Sequence, residues 1–346
     1  MTTFSQPFPS QRERAGVSIG AAVTLTVAFI VSLSLMTSSN EGVNNHALGN
    51  APERPPAPRA YEVVQIIGGP GDDPGQFRGP FGVRATPDGR VFVADDLAHR
   101  ITVFDREGRV LHTLGRHGTG RGELAWVDAV DVAPSGEIFV ADTGTNRIQV
   151  WDREGRFLRE FGRGLLPWRR LHNPRDVVVA PDGLVYVADF SNDRVQVFDQ
   201  AGRLVRVIGR LGAGPGELHG PVQLTVDASV LYVAEQYNHR IQVLRTTGES
   251  LRTFGRHGTA PGELVKPHGV KIGPDGFVYV ADHGNHRVQV FTPFGEFVAV
   301  LARQGGASAE LRDPTALSFG PGGQLYVVDK GHQRIQVWKL VRGGEG

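Results

Sequence analysis

An arginine opens the same short apolar segment six times, at Arg100, Arg147, Arg194, Arg240, Arg287 and Arg334. The intervals are 47, 47, 46, 47 and 47 residues. An acidic residue keeps step upstream (Asp95, Asp142, Asp189, Glu235, Asp282, Asp329), and so does an apolar landmark (Phe77, Leu124, Leu171, Leu218, Leu264, Leu311). A fixed period of this length marks repeated supersecondary units, and it constrains the fold more than any single motif does.

The fifth copy shows what one unit contains. "GVKIG" at 269–273 is followed by the turn "PDG" at 274–276. "FVYVAD" at 277–282, the alternating "RVQVF" at 287–291 and "FVAVL" at 297–301 complete it. Short apolar runs separated by Gly-containing turns read as antiparallel hairpins. Four such strands per unit form a propeller blade. The last copy stops after its third strand, at 334–340, and "EVVQIIG" at 62–68 supplies a matching fourth strand. Gly68 holds the place of Gly115, Gly162, Gly209 and Gly255. The expectation is an all-β, six-bladed β-propeller closed by its N-terminal strand, which covers edges that would otherwise stay open.

The run "PDG-x-VYVAD-x-x-NHR-x-QVF", with its core kept in "YNHRIQV" and "GNHRVQV", resembles the NHL repeat. The resemblance spans residues 61–340 and implies a six-bladed propeller. It does not imply an activity, because one fold hosts many functions.

Residues 15–36, "AGVSIGAAVTLTVAFIVSLSLM", carry no charge. As a helix they would rise about 33 Å, close to the ~30 Å hydrocarbon thickness of a bilayer. Arg12 and Arg14 precede the run, and Glu41 is the first charge after it. Positive flanks stay cytoplasmic, so the remainder is expected outside the cytoplasm. The implied organisation is a cytoplasmic 1–14, a transmembrane helix or signal anchor at 15–36, a flexible linker at 37–60, the propeller at 61–340 and a tail at 341–346. A cleaved signal peptide, giving a secreted propeller, is the alternative.

The formal net charge is +1, which gives no overall bias toward nucleic acid. The absence of Cys excludes disulfides, thiolate metal sites and a Cys nucleophile. No Ser-His-Asp order, P-loop or dinucleotide fingerprint stands out. The recurrent acid and arginine read as scaffold, since a catalytic centre needs one unique constellation.

Function is expected where the copies differ. The start of each inner strand carries Phe81, Asp128, Arg175, Val222, His268 and Thr315, in register. These six would meet at one mouth of the channel and bind a small polar or peptide-like ligand. The competing reading is a plugged channel with Asp128 and Arg175 paired. Two departures from the repeat stand beside this ring. Glu235-Gln236-Tyr237 brings a phenol near the fourth loop. The segment 162–174 carries Trp168, Arg169, Arg170 and His172, read either as a contact patch or as a loop whose Trp packs between blades.

The chain is also similar to the propellers of peptidyl-hydroxyglycine amidating lyases, where Pro-His motifs supply three zinc-binding histidines. Only Pro267-His268-Gly269 matches. That resemblance implies a zinc-dependent lyase using His268, Tyr237 and Arg175, with His268 and Asp128 as the metal ligands left to it. Calcium, as in lactonases built on six-bladed propellers, would need six or more oxygen ligands, and Asp128 alone does not provide them. The reading that needs none of this is a membrane-anchored extracytoplasmic scaffold or sensor head. It expects no cofactor and no nucleic acid, and takes an extracellular or periplasmic protein, peptide or glycan as partner.

Overall fold

A computed structural model of the chain describes residues 58–164, 166–302 and 310–342. The expected transmembrane helix, the cytoplasmic segment and most of the linker lie outside these residues. Among the described residues no helix is long and apolar enough to cross a membrane.

Among the described residues, twenty-four strands form six four-stranded antiparallel sheets. Five sheets are continuous in sequence. The sixth takes three strands from the C-terminal end and its outermost strand, Pro58–Ile67, from the N-terminal end. That strand pairs antiparallel with Arg334–Arg342, with Tyr61 opposite Leu340 and Ile67 opposite Ile335. Both strands outrun the segments expected from sequence, 62–68 and 334–340. Each gives the other a partner for its backbone groups, so the ladder continues beyond the repeat. Tyr61 stacks on the fully buried Trp338 with ring centroids 3.9 Å apart, which fixes the closing strand by its side chains as well.

The hydrophobic core is divided among the seams between blades. One cluster joins blades one and two through Phe92, Ile101, Leu124 and Trp151. Another joins blades six and one through Phe77, Val93, Tyr326 and Val337. The second strands, such as Val91–Asp95 and Val185–Asp189, are buried along their whole length. Such a strand packs against a sheet on either side, which explains why these strands read as unbroken apolar runs.

The landmark residues have a shared purpose. Gly68, Gly115, Gly162, Gly209 and Gly255 all have positive φ, and an added Cβ at each would collide with Phe77, Leu124, Leu171, Leu218 or Leu264 respectively. The glycine ends the outer strand and clears space for the apolar landmark of the following loop.

The recurrent carboxylate pins that loop. Asp142 accepts a hydrogen bond from the Ala125 N–H at 3.0 Å and pairs with Arg147 Nε at 2.8 Å. Arg147 and Gln149 then donate to the Glu123 carbonyl. The acid–arginine pair recurs at Asp189–Arg194, Glu235–Arg240, Asp282–Arg287 and Asp329–Arg334, at 2.6 to 2.7 Å. In blade one, Thr102 replaces the glutamine, and Arg100 instead donates to the carbonyls of Asp72, Asp73 and Gln76. These pairs are scaffold.

The residue just before each recurrent arginine sits in the left-handed region: His99, Asn146, Asp193, His239, His286 and Gln333. Its side chain reaches the next blade. His99 Nδ1 accepts from the Trp126 N–H, Asn146 from Asn173, Asp193 from Gly220, His239 from Lys266 and His286 from Asp313, at 2.7 to 3.3 Å. Gln333 closes the circle by donating to the Arg78 carbonyl at 2.6 Å. The "NHR" histidines are therefore latches between blades.

Candidate functional site

The inner strands are Pro80–Ala85, Val127–Val132, Pro174–Val179, Pro221–Asp227, Gly269–Ile272 and Pro314–Phe319. Proline opens four of them and Pro267 stands before a fifth, which spares an N–H at a strand start. Phe81, Asp128, Arg175, Val222, His268 and Thr315 occupy equivalent places at or near the start of these strands. Five of them are buried, and Arg175 is partly exposed.

A second ring lies directly against the first. It comes from the residue after each recurrent acid: Asp96, Thr143, Phe190, Gln236, His283 and Lys330. Sequence reasoning missed it. The available signal was that here, as in the first ring, every blade carries a different residue beside an otherwise uniform motif.

The two rings interlock. His268 stacks flat on His283, with centroids 3.9 Å apart and planes 3° from parallel. Phe81, Phe190 and Val222 form an apolar cluster. The Arg175 guanidinium lies 5.3 Å from the Phe81 centroid and 4.8 Å from that of Phe190, and Lys330 Nζ lies 4.5 Å from Phe81. Arg175 Nη1 is 3.1 Å from Asp128 Oδ2, an ion pair whose carboxylate oxygen has no aligned hydrogen bond among the described residues. The Thr315 hydroxyl donates to the Phe81 carbonyl, and that of Thr143 to Pro174, each at 2.7 Å. The upper mouth is thus filled by flat and charged groups packed on one another.

Burial sets the charge states. It pushes Asp128 up to about 6, against the opposing pull of Arg175. Burial also holds His268 well below the usual imidazole range, reinforced by His283 and then Arg175. His283 is lowered for the same first reason. The Nδ1 of His268 is buried without a hydrogen-bond partner among the described residues.

Deeper in the channel, polar side chains tie neighbouring inner strands together. Asp176 accepts from the Leu224 N–H, Gln223 from Val270, Asp131 from Val179 and Ser318 from Ala85, at 2.8 to 3.0 Å. A small void of about 20 Å³ lies beside Asp131, Asp176 and Gln223, room for a single water. Below it, the other end of the channel widens into a recess of about 640 Å³.

The remaining sequence candidates lie at the upper rim. Tyr237 is half-exposed and meets Phe190 and His219, with ring centroids at 5.7 and 4.8 Å. Trp168 does not pack between blades; it is 62% exposed on a short turn at Pro167–Arg169. Arg170 Nε donates to the Gly164 carbonyl and the His172 N–H to Asp189, so both belong to the loop's own framework. Trp126 is 57% exposed and held at φ +56°, which is costly for a bulky side chain.

These donors do not fit a zinc centre. His268 is the one imidazole of the first ring, His283 directs its Nδ1 to the Pro314 carbonyl at 3.3 Å, and Asp128 is engaged by Arg175. Among the described residues no three His, Cys, Asp or Glu side chains converge as metal ligands.

The NHL repeat family matches residues 171–198, 264–291 and 311–338. No curated protein matches the chain in sequence. Among solved structures, a streptogramin B lyase aligns with a TM-score of 0.59 at 17% identity, covering 81% of this chain and 98% of its own. A catalytically inactive histidine-to-alanine variant of virginiamycin B lyase from Staphylococcus aureus, solved with quinupristin, aligns at 0.58 and 18% identity, covering 82% and 89%. A Bacteroides thetaiotaomicron protein of unknown function aligns at 0.62 and 14% identity, covering 81% and 77%. Identities this low speak for the fold alone. Three segments of the chain match the NHL repeat, and its sheets form a closed six-bladed β-propeller structurally similar to virginiamycin B lyase.

Proposed function

We propose that the propeller is a recognition head that binds a protein or peptide across its upper face, outside the cytoplasm, on a membrane anchor formed by residues 15–36. The observation that carries this reading is the contrast between the mouth and its rim. The mouth is filled by side chains packed on one another, while Leu97, Trp126, Trp168 and Tyr237 stand exposed around it. Exposed aromatic groups on a rigid scaffold are the usual anchors of protein recognition. Trp126 is presented by the fold itself: its N–H is held by His99 in the latch between blades while its indole stays exposed. The near-neutral net charge favours a protein, peptide or glycan over nucleic acid. A catalytic reading at His268 would need a metal that the surrounding donors do not fit.

Two measurements test the proposal. A photo-crosslinking amino acid placed at Trp126 or Tyr237 of the full chain should give a discrete adduct in cells. The same group at Leu111, exposed on an outer strand, should not. Equal labelling at all three positions would remove the upper face from consideration. A reporter fused after Gly346 should be active outside the cytoplasm, and activity inside would overturn the topology.

A further inference from the structure

The opposite end of the channel carries a different chemistry. The recess of about 640 Å³ is framed by the turns between first and second strands, including those at Thr86–Asp88, Pro134–Gly136 and Pro181. None of the six upper-ring residues lines it. Its volume suits a small organic molecule. Its walls are largely apolar, with Val132, Val179, Pro181, Ile272 and Phe319 among them.

The charges at its edge and base are nearly all positive. Arg84, Arg90, Arg153 and Lys271 line the recess against one carboxylate, Asp88. Asp88 is already engaged: Arg90 Nε lies 2.9 Å from it, and the Thr86 hydroxyl donates to it at 2.5 Å. Arg84 and Lys271 sit deepest, since both also line the small void above. Their own counter-charges are shared with the backbone. Arg84 Nε is 2.8 Å from Asp131, but the Asp131 oxygens already accept the Val132 and Val179 N–H groups, and Arg84 Nε has no aligned acceptor among the described residues. The Lys271 ammonium has three donors. One recorded bond uses one of them, to the Leu224 carbonyl at 3.1 Å. Asp176, the carboxylate coupled to Lys271, accepts the Leu224 N–H, and burial pushes it up to about 7.

We infer that this lower recess is a binding site for a small amphipathic carboxylate, its head group between Arg84 and Lys271 and its apolar body along the wall near Phe319. An arginine fork beside a lysine matches a carboxylate, and the apolar wall stabilises a hydrocarbon body by burial. The site is independent of the upper face: a ligand here meets no residue of the mouth.

The probe is 4-phenylbutyrate, titrated into the purified full chain by calorimetry, with 4-phenyl-1-butanol and 4-phenylbutylamine as neutral and cationic controls. Saturable one-to-one binding of the acid is expected, at least tenfold tighter than the alcohol, with no binding of the amine. Arg84→Gln and Lys271→Met should each weaken the acid at least tenfold, and Arg84→Lys should retain most of the affinity. Ser135→Trp, an exposed change on a turn framing the recess, should block binding with an unchanged melting temperature. It decides the matter if the buried variants do not fold. No saturable binding, equal binding of acid and alcohol, or unaltered affinity in Ser135→Trp would overturn the site.

Discussion

His268, buried, lies face to face with the partly exposed His283, and burial lowers the proton affinity of both. The unfolded chain takes up protons near the ordinary value of about 6.5. The unfolded state then binds more protons below that pH, so stability falls as the pH drops through it. Asp128 and Asp176 shift stability the other way over the same range, so the test is a difference. In urea unfolding, His268→Phe, which keeps a flat ring against His283, should gain on the native chain between pH 7 and pH 5. Equal changes in the two proteins would place the acid sensitivity elsewhere.

Asp128 works in the opposite direction. Its folded value of about 6 lies above the ordinary 3.8, so the folded state holds the proton longer. Stability from this residue is greatest below about pH 4 and declines as the pH rises to about 6. Two units correspond to roughly 3 kcal/mol at most. Asp128→Asn should remove this decline, so the variant gains on the native chain between pH 4 and pH 7. Parallel pH profiles for the two proteins would contradict the assignment.

The latches between blades should be interchangeable in kind. His286 accepts the Asp313 N–H at 3.1 Å from a left-handed backbone position. His286→Ala removes the acceptor and leaves an unfavourable conformation, an expected loss of about 2 kcal/mol. His286→Asn should be nearly neutral, because Asn146 performs the same task between blades two and three. Equal losses in both variants, read by thermal unfolding, would show that the bond contributes nothing.

The acid that pins each loop should be costly to remove. Asp282 is fully buried, receives the Val265 N–H at 2.7 Å and pairs with Arg287 at 2.7 Å. Asp282→Ala strands a guanidinium with little access to water, and a loss of about 3–5 kcal/mol is expected. Asp189→Ala should cost a similar amount, since the same geometry recurs there. A small loss at either site by denaturant unfolding would count against the scaffold role.

Trp126 offers a separable effect. Glycine holds the equivalent left-handed position in blade four, at Gly220. Trp126→Gly should raise stability by about 1 kcal/mol through relief of strain, while abolishing the cross-linked adduct expected at the upper rim. A destabilised variant would mean that the indole supports the fold.

The sequence made the ring legible because its signals were periodic. Arg100 to Arg334, the glycines before each loop and the alternating third strands all report local geometry that every blade repeats. Closure was readable for the same reason: the segment before Gly68 had the pattern of a missing strand. The upper mouth was half visible. Phe81, Asp128 and their counterparts were found by register, and so was the pairing of Asp128 with Arg175. Phe190, His283 and Lys330 were not, because nothing in the chain order says that the residue after a buried acid turns inward over the neighbouring strand. The lower recess was invisible, since Arg84 and Lys271 are four blades apart in sequence and meet only through the curvature of the ring.

The shared sixth sheet has a consequence for biosynthesis. Pro58–Ile67 is made before the other strands of the ring and must wait for its partner Arg334–Arg342. Five sheets can assemble during translation, but the circle cannot be sealed until that partner strand has left the ribosome. Until then an early strand edge stands uncovered, and such edges recruit other chains. Sealing of the ring is therefore a long-range docking step, and chaperone protection matters most for Pro58–Ile67.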